Sequence, residues 1–160
     1  IMRRIISILL ENEFGSLSRV VGFFSQRGYN IETLNVGPVF DGTYSRMTVT
    51  TRGSENDVEQ ITKQINKIID VIKVSDLTEG EHHEYEFIMV KFKHNEKIQK
   101  ILKKLNGRIH EKHKHAIVMS AWGTSSDIEV AIKAIGKANL FEIVRSGSIG
   151  LHEGEKVLKI

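Results

Sequence analysis

The hydrophobic pattern of this chain changes period in a fixed order and then runs through the same order again, which limits the fold more than any other feature. Residues 4–10 alternate like a strand, with Ile6, Ile8 and Leu10 on one face. Leu17, Val20, Val21 and Phe24 then recur at helical spacing, and Gly28 stops that helix. Residues 30–37 read as a second strand, Asp41-Gly42 as a hairpin signal, and 44–51 as a third strand. Ser54 is an N-cap with Asp57 three residues on, and Val58, Ile61, Ile65, Ile68 and Ile69 make the apolar face of a second helix. Residues 71–77 close the set as a fourth strand. The order is βαββαβ.

The second round starts after a polar stretch. Residues 86–93 form a strand carrying Ile88, Val90 and Phe92, and Ile98, Ile101, Leu102 and Leu105 a helix ended by Gly107. Residues 108–113 and 115–122 pair as a hairpin, Thr124 or Ser125 caps a helix with Ile128, Ala131, Ile132 and Ile135, and 140–145 give a last strand. The expected fold class is α+β: two ferredoxin-like βαββαβ sandwiches, each an antiparallel sheet with two helices on one face. The domains fall at 2–78 and 85–160, with 79–84 as a linker. The helix-free face of such a sheet is bare, and a second copy is expected to cover that face or an exposed edge strand, giving a homodimer through the first domain.

Composition narrows the function classes. A chain that is 40% hydrophobic and 27% charged reads as globular and cytoplasmic. Its apolar runs are too short to cross a membrane, and Arg3-Arg4 is followed by no signal-peptide core; Met2 reads as the natural start. The absence of Cys excludes disulfides, thiolate catalysis and Cys-based zinc sites. The net charge of +3 is modest, with its basic residues gathered between Lys91 and Lys114.

Four places carry candidate chemistry. The Asn12-x-x-Gly15 turn opens onto a helix, whose N-terminus presents unpaired N–H groups and a partial positive charge. It suits a carboxylate or a phosphate, and Gly15 permits close approach. Spacing alone leaves three readings open: a phosphate cradle, an amino-acid site or a plain connection. Asn30 enters the next strand with an amide able to hold both an ammonium and a carboxylate, or to serve as a turn residue. His110, His113 and His115 cluster, but on a strand His110 faces away from the other two and no HExxH accompanies them, so a solvated hairpin tip is the simpler reading than a metal site. Lys97, Lys100, Lys103 and Lys104 occupy the polar side of a helix without the interleaved aromatics that RNA binding wants. No GxSxG, P-loop or GxGxxG motif is present, so neither a nucleophilic nor a nucleotide-dependent enzyme is indicated.

The stretches MRRIISILLENEFGSLSRVVGFFSQRGYNIETLNVGP, SRMTVTTRG and EQITKQINKIIDVIKVSDL, resumed in IMVKF and VRSGSIGL, strongly resemble the regulatory (small) subunit of acetohydroxyacid synthase, also called acetolactate synthase. The match is nearly continuous over residues 2–77 and weaker over 86–139. The resemblance implies that the first unit is an ACT domain, an amino-acid sensor. It further implies that two such domains pair and hold valine between Asn12, Gly15, Ser16 and Leu17 of one copy and Asn30 and Ile31 of the other.

By the same resemblance the chain is non-catalytic. It would bind the catalytic large subunit, raise its activity and confer feedback inhibition by valine in branched-chain amino-acid biosynthesis. Thiamine diphosphate, magnesium and FAD are expected on that partner, and no cofactor on this chain. Phe14 and Ser16 occupy variable turn positions, and a bulky Phe14 would either narrow the pocket or face the core. The alternative is a free-standing amino-acid-binding regulator of nucleic acid. It would need a helix-turn-helix or ribbon reader, and the pattern offers neither.

Overall fold

Strand β1 (Met2–Glu11) is buried on both faces along almost its whole length. In the computed structural model, which describes residues 2–158, that double burial organises the first of two units. Side chains alternate along a strand, so Ile6, Ile8 and Leu10 point one way. They pack into a core with Val20, Phe24, Val58 and Ile61. Full burial of each such side chain stabilises the unit by about 1.5–3 kcal/mol before the entropy cost of ordering.

This core lies between the sheet and two helices, α1 (Ser16–Gln26) and α2 (Glu55–Ile65). The sheet comprises β1, β2 (Ile31–Val39), β3 (Tyr44–Gly53) and β4 (Val71–Asp76), in the spatial order β2-β3-β1-β4 with every pairing antiparallel. Ser54 caps α2 as expected, and the cap is reciprocal: Ser54 Oγ accepts from the Asp57 N–H, and the Asp57 carboxylate accepts from the Ser54 N–H. Ile69 differs from expectation. It falls beyond the end of α2 and is 88% exposed, while Ile68 packs on the core.

The other face of β1 holds Ile5, Ser7 and Leu9, and it is not bare. The first unit contains residues up to His83 together with the segment from Ser148. That C-terminal segment returns across this face. Arg46 Nη2 donates to the Gly150 carbonyl at 3.2 Å, Arg3 Nη2 donates to Ser148 Oγ at 3.1 Å, and Ser75 Oγ lies 2.8 Å from His152 Nε2. A Cβ at Gly150 would meet Leu77 Cδ1 at 2.5 Å and Ile5 Cδ1 at 3.0 Å, so the approach requires glycine. Covering by a second copy is therefore corrected for this face: the chain covers it with its own tail. The expected 85–160 domain is likewise shorter than anticipated. Nor are residues 79–84 a plain linker. A 3₁₀ turn spans Leu77–Glu79 and β5 (His82–Lys93) already begins inside the segment. Strand β9 (Ile149–His152) pairs with β5, and the Glu153 N–H donates to the Glu81 carbonyl at 3.0 Å.

The second unit, Glu84–Gly147, repeats the architecture. Its sheet runs β6-β7-β5-β8, using β6 (Arg108–Lys112), β7 (Ala116–Thr124) and β8 (Leu140–Arg145). Helices α3 (Glu96–Lys103) and α4 (Ser125–Ile135) cover one face. Ile88, Val90, Phe92, Leu102, Met119 and Ile128 belong to the core between them. Thr124, rather than Ser125, caps α4, and Asn95 caps α3 by accepting from the Lys97 and Ile98 N–H groups. Buried Glu86 receives Arg145 in a two-point contact, Nε to Oε1 at 2.7 Å and Nη2 to Oε2 at 2.9 Å, while Nη2 also reaches Glu129 Oε1 at 2.7 Å. Those three groups tie β8 to β5 and α4. Within this unit the helix-free face of the sheet is open, with Phe87 opposite Trp122 and Met89 opposite Val144, all four at least 44% exposed. Among the described residues no helix is long and apolar enough to cross a membrane.

Candidate functional site

Helix α1 begins without a side-chain cap. Gly15 takes the N-cap position at φ 84°, ψ −3°, a left-handed conformation that glycine adopts without penalty. Its missing Cβ matters for a second reason, because a Cβ there would lie 3.1 Å from Nη1 of Arg19. The Arg19 guanidinium lies over the turn, held by an Nε hydrogen bond to the Asp70 carboxylate and by Nη2 donating to the Phe14 carbonyl at 3.3 Å. The bond to Asp70 raises the Arg19 pKa above its ordinary value. A helix N-terminus and a guanidinium thus share one turn, and both favour an anion. The Ser16 N–H is used within the turn, donating to the Glu13 carbonyl at 3.2 Å. The Leu17 and Ser18 amides stand in the first helical turn, where the helix supplies no acceptor.

Asn12 does more than flank the turn. Its Nδ2 donates to the Gly42 carbonyl at 2.8 Å and its backbone N–H to the Thr43 carbonyl at 2.9 Å, so the turn is fastened to the tip of the β2–β3 hairpin. Ser16 is buried with an Oγ that has no hydrogen-bond partner among the described residues. Leu17 is 40% exposed beside the open amides. Phe14 is fully exposed in the single chain, so it does not face the core.

Asn30 and Ile31 lie elsewhere. Asn30 is exposed just before β2; its carbonyl accepts from Thr51 Oγ1 at 2.6 Å, and its side-chain amide makes no hydrogen bond among the described residues. Ile31 is half-buried against the core. The eleven residues of α1 separate this point from the Gly15 turn, a rise of about 16 Å. The Gly15 turn and Asn30–Ile31 therefore lie at opposite ends of one helix. The outer edge of β2 pairs with no strand among the described residues. A two-fold pairing along that edge would bring the start of one helix to the end of its mate.

Arg19 and Asp70 escape the sequence reading, since they are 51 residues apart. The available signal was an arginine one turn after Gly15. The histidines are engaged locally: His110 Nε2 lies 2.7 Å from Ser120 Oγ, His113 Nε2 lies 3.2 Å from Glu111 Oε2, and His94 Nδ1 lies 2.9 Å from the His113 carbonyl. No group of three potential ligands among the described residues is placed to hold a metal. Lys97, Lys100, Lys103 and Lys104 are exposed on and just after α3.

Comparison with known proteins matches both units. Residues 6–73 match the ACT domain of acetohydroxyacid synthase small-subunit type, and residues 85–154 match the family model for the small subunit of acetolactate synthase. The chain is 42% identical over 163 residues to the acetolactate synthase isozyme 3 small subunit of Escherichia coli, covering 99% of this chain and 100% of that one. It is 43% identical over 160 residues to the acetolactate synthase small subunit of Haemophilus influenzae, covering 97% and 98%. The crystal structure of the acetolactate synthase small subunit from Thermotoga maritima superimposes with a TM-score of 0.86 at 26% identity, covering 98% of this chain and 100% of that one.

Proposed function

This chain belongs to the acetolactate synthase small-subunit family, and from that premise we propose that it senses valine for the catalytic large subunit, raising that subunit's activity and passing on feedback inhibition. The chain is a regulatory subunit, and catalysis resides in its larger partner. In the proposed complex thiamine diphosphate, magnesium and FAD belong to that partner.

The observation that carries the valine reading is the uncapped start of α1, where Gly15 at φ 84° opens the helix amides beside the Arg19 guanidinium. A valine carboxylate would take the Leu17 and Ser18 N–H groups. The free amide of Asn30, contributed by the second copy, would hold the ammonium and the other carboxylate oxygen. Leu17 and Ile31 would receive the isopropyl group. Leucine differs from valine by one methylene, a discrimination worth about 1–3 kcal/mol in such a pocket.

A ligand bridging two chains shifts their relative arrangement only as far as it prefers one arrangement over another. Valine bound across the dimer has that differential contact built in, because half of its partners come from each copy. The test is reconstitution with the cognate catalytic subunit. Addition of this chain should raise its turnover, and valine should reverse the gain. The same titration with the Gly15→Asp chain should show activation without inhibition. Absence of activation by the wild-type chain would refute the regulatory reading, and unchanged inhibition in Gly15→Asp would refute the site.

A further inference from the structure

The tip of the β2–β3 hairpin carries features that neither the core nor the valine reading uses. Phe40 is fully exposed, and its backbone lies at φ 53°. A bulky residue in the left-handed region is strained, so the fold holds an apolar ring in water at a position where Asn or Gly would sit more easily. Beside it is an open cavity of about 860 Å³ lined by Leu9, Tyr44, Arg46, Val157 and Leu158, as well as by Phe40 itself.

Arg46 is the polar exception in that wall. Its guanidinium is half-buried, which lowers its pKa. One nitrogen donates to the Gly150 carbonyl at 3.2 Å, and no carboxylate pairs with it among the described residues. Asp41 also lines the cavity, but its carboxylate accepts from the Thr43 N–H at 3.0 Å. A guanidinium has five N–H donors in a planar fork that matches a carboxylate. The surface therefore asks for a carboxylate embedded in an apolar segment.

We propose that this tip, with Phe40, Tyr44 and Arg46 at its centre, is where the catalytic large subunit docks, through an acidic residue flanked by apolar side chains. The proposal rests on the regulatory-subunit reading. A second copy of this chain fits the surface poorly, because a two-fold contact centred here would set Arg46 against Arg46. The large subunit also explains the wiring. Asn12, in the turn assigned to valine, is bonded to Gly42 and Thr43 of this same tip. Movement of the turn on valine binding would reach the docking surface through two hydrogen bonds and no intervening loop.

The experiment measures calorimetric affinity of the full-length chain for the purified catalytic subunit, using wild type, Phe40→Asn and Arg46→Glu, with valine titration and thermal melting as controls for folding. Asn tolerates the left-handed backbone, so Phe40→Asn should melt no lower than wild type and yet bind at least tenfold more weakly. Arg46→Glu should also lose at least tenfold in affinity for the catalytic subunit while still binding valine. Wild-type affinity in both variants would overturn the docking surface and leave the regulatory reading intact. Failure of the wild-type chain itself to bind the catalytic subunit would overturn the regulatory reading, and this surface with it.

Discussion

The Nδ2 of Asn12 donates to the backbone carbonyl of Gly42 over 2.8 Å, joining the turn before α1 to the tip of the β2–β3 hairpin. The bond is exposed, so its net contribution to stability is about 0.5–1.5 kcal/mol. Asn12→Ala should lower the melting temperature by only a few degrees. Its larger effect should be on coupling. Valine should bind more weakly than to wild type by calorimetry, and inhibition of the reconstituted enzyme should stay incomplete even at saturating valine. Full inhibition in this variant would show that the bond is only a fastening.

Gly15 separates backbone strain from charge. Gly15→Ala places a Cβ at φ 84° and against the Arg19 guanidinium, at a cost of about 1–3 kcal/mol. Gly15→Asp carries the same strain and adds a negative charge where the valine carboxylate would lie. Both variants should stay folded with lowered melting temperatures. Only Gly15→Asp should lose valine binding by a further tenfold or more, read by calorimetric titration.

Arg145 holds the second unit together. Its removal as Arg145→Leu leaves Glu86, whose side chain is 1% exposed, without its cation. An uncompensated buried charge costs about 3–5 kcal/mol, and the partial exposure of Arg145 places the expected loss at the lower end. Denaturant unfolding should show this loss. The double variant Glu86→Leu/Arg145→Leu should recover much of it, because the burial penalty is then gone.

These contacts mark the boundary of what the sequence discloses. Periodicity places β1 through α4 because Ile6, Ile8 and Leu10, or Ile128, Ala131 and Ile135, repeat at the spacing of their element. Gly15 and Asp41-Gly42 are legible because turns draw on few residue types. The Asn95 cap carries the same kind of signal, an Asn just before a helical run. Pairings between distant residues carry no such mark: Arg19 with Asp70, Arg145 with Glu86, Ser75 with His152. The tail is the largest omission. In sequence, SGSIGLHEG follows the last strand with no periodicity of its own, and its packing on the first unit shows only in contacts such as the approach of Gly150 to Leu77 and Ile5. Of the candidate site, the turn was readable as a helix start. Its arginine was not, nor was the distance that splits the site into halves.

The tail should respond to pH. His152 is buried beside Ser75, and its pKa is lowered first by burial and then by Lys156, Arg46 and His82. The fold therefore favours the neutral imidazole. Above the unfolded value of about 6.5 both states are neutral and the tail's contribution is complete. As pH falls below that value the unfolded or detached form takes up the proton more readily, and stability is lost. Hydrogen exchange of amides in residues 148–158 should accelerate between pH 7.5 and pH 5.5 relative to the intrinsic rate. In His152→Asn that excess should disappear.

The central claim is that each valine site is assembled from two chains, since the Gly15 turn and Asn30 occupy opposite ends of α1. Calorimetric titration of mixed variants tests it most directly. Gly15→Asp and Asn30→His chains, each unable to bind valine alone, would be unfolded together and refolded at equal concentration. A heterodimer then carries one site with both halves intact and one with both halves altered, so random pairing should restore valine binding at about one quarter of the wild-type site number with wild-type affinity. No recovery from a mixture shown to contain the heterodimer would mean that each site lies within a single chain, contradicting the account.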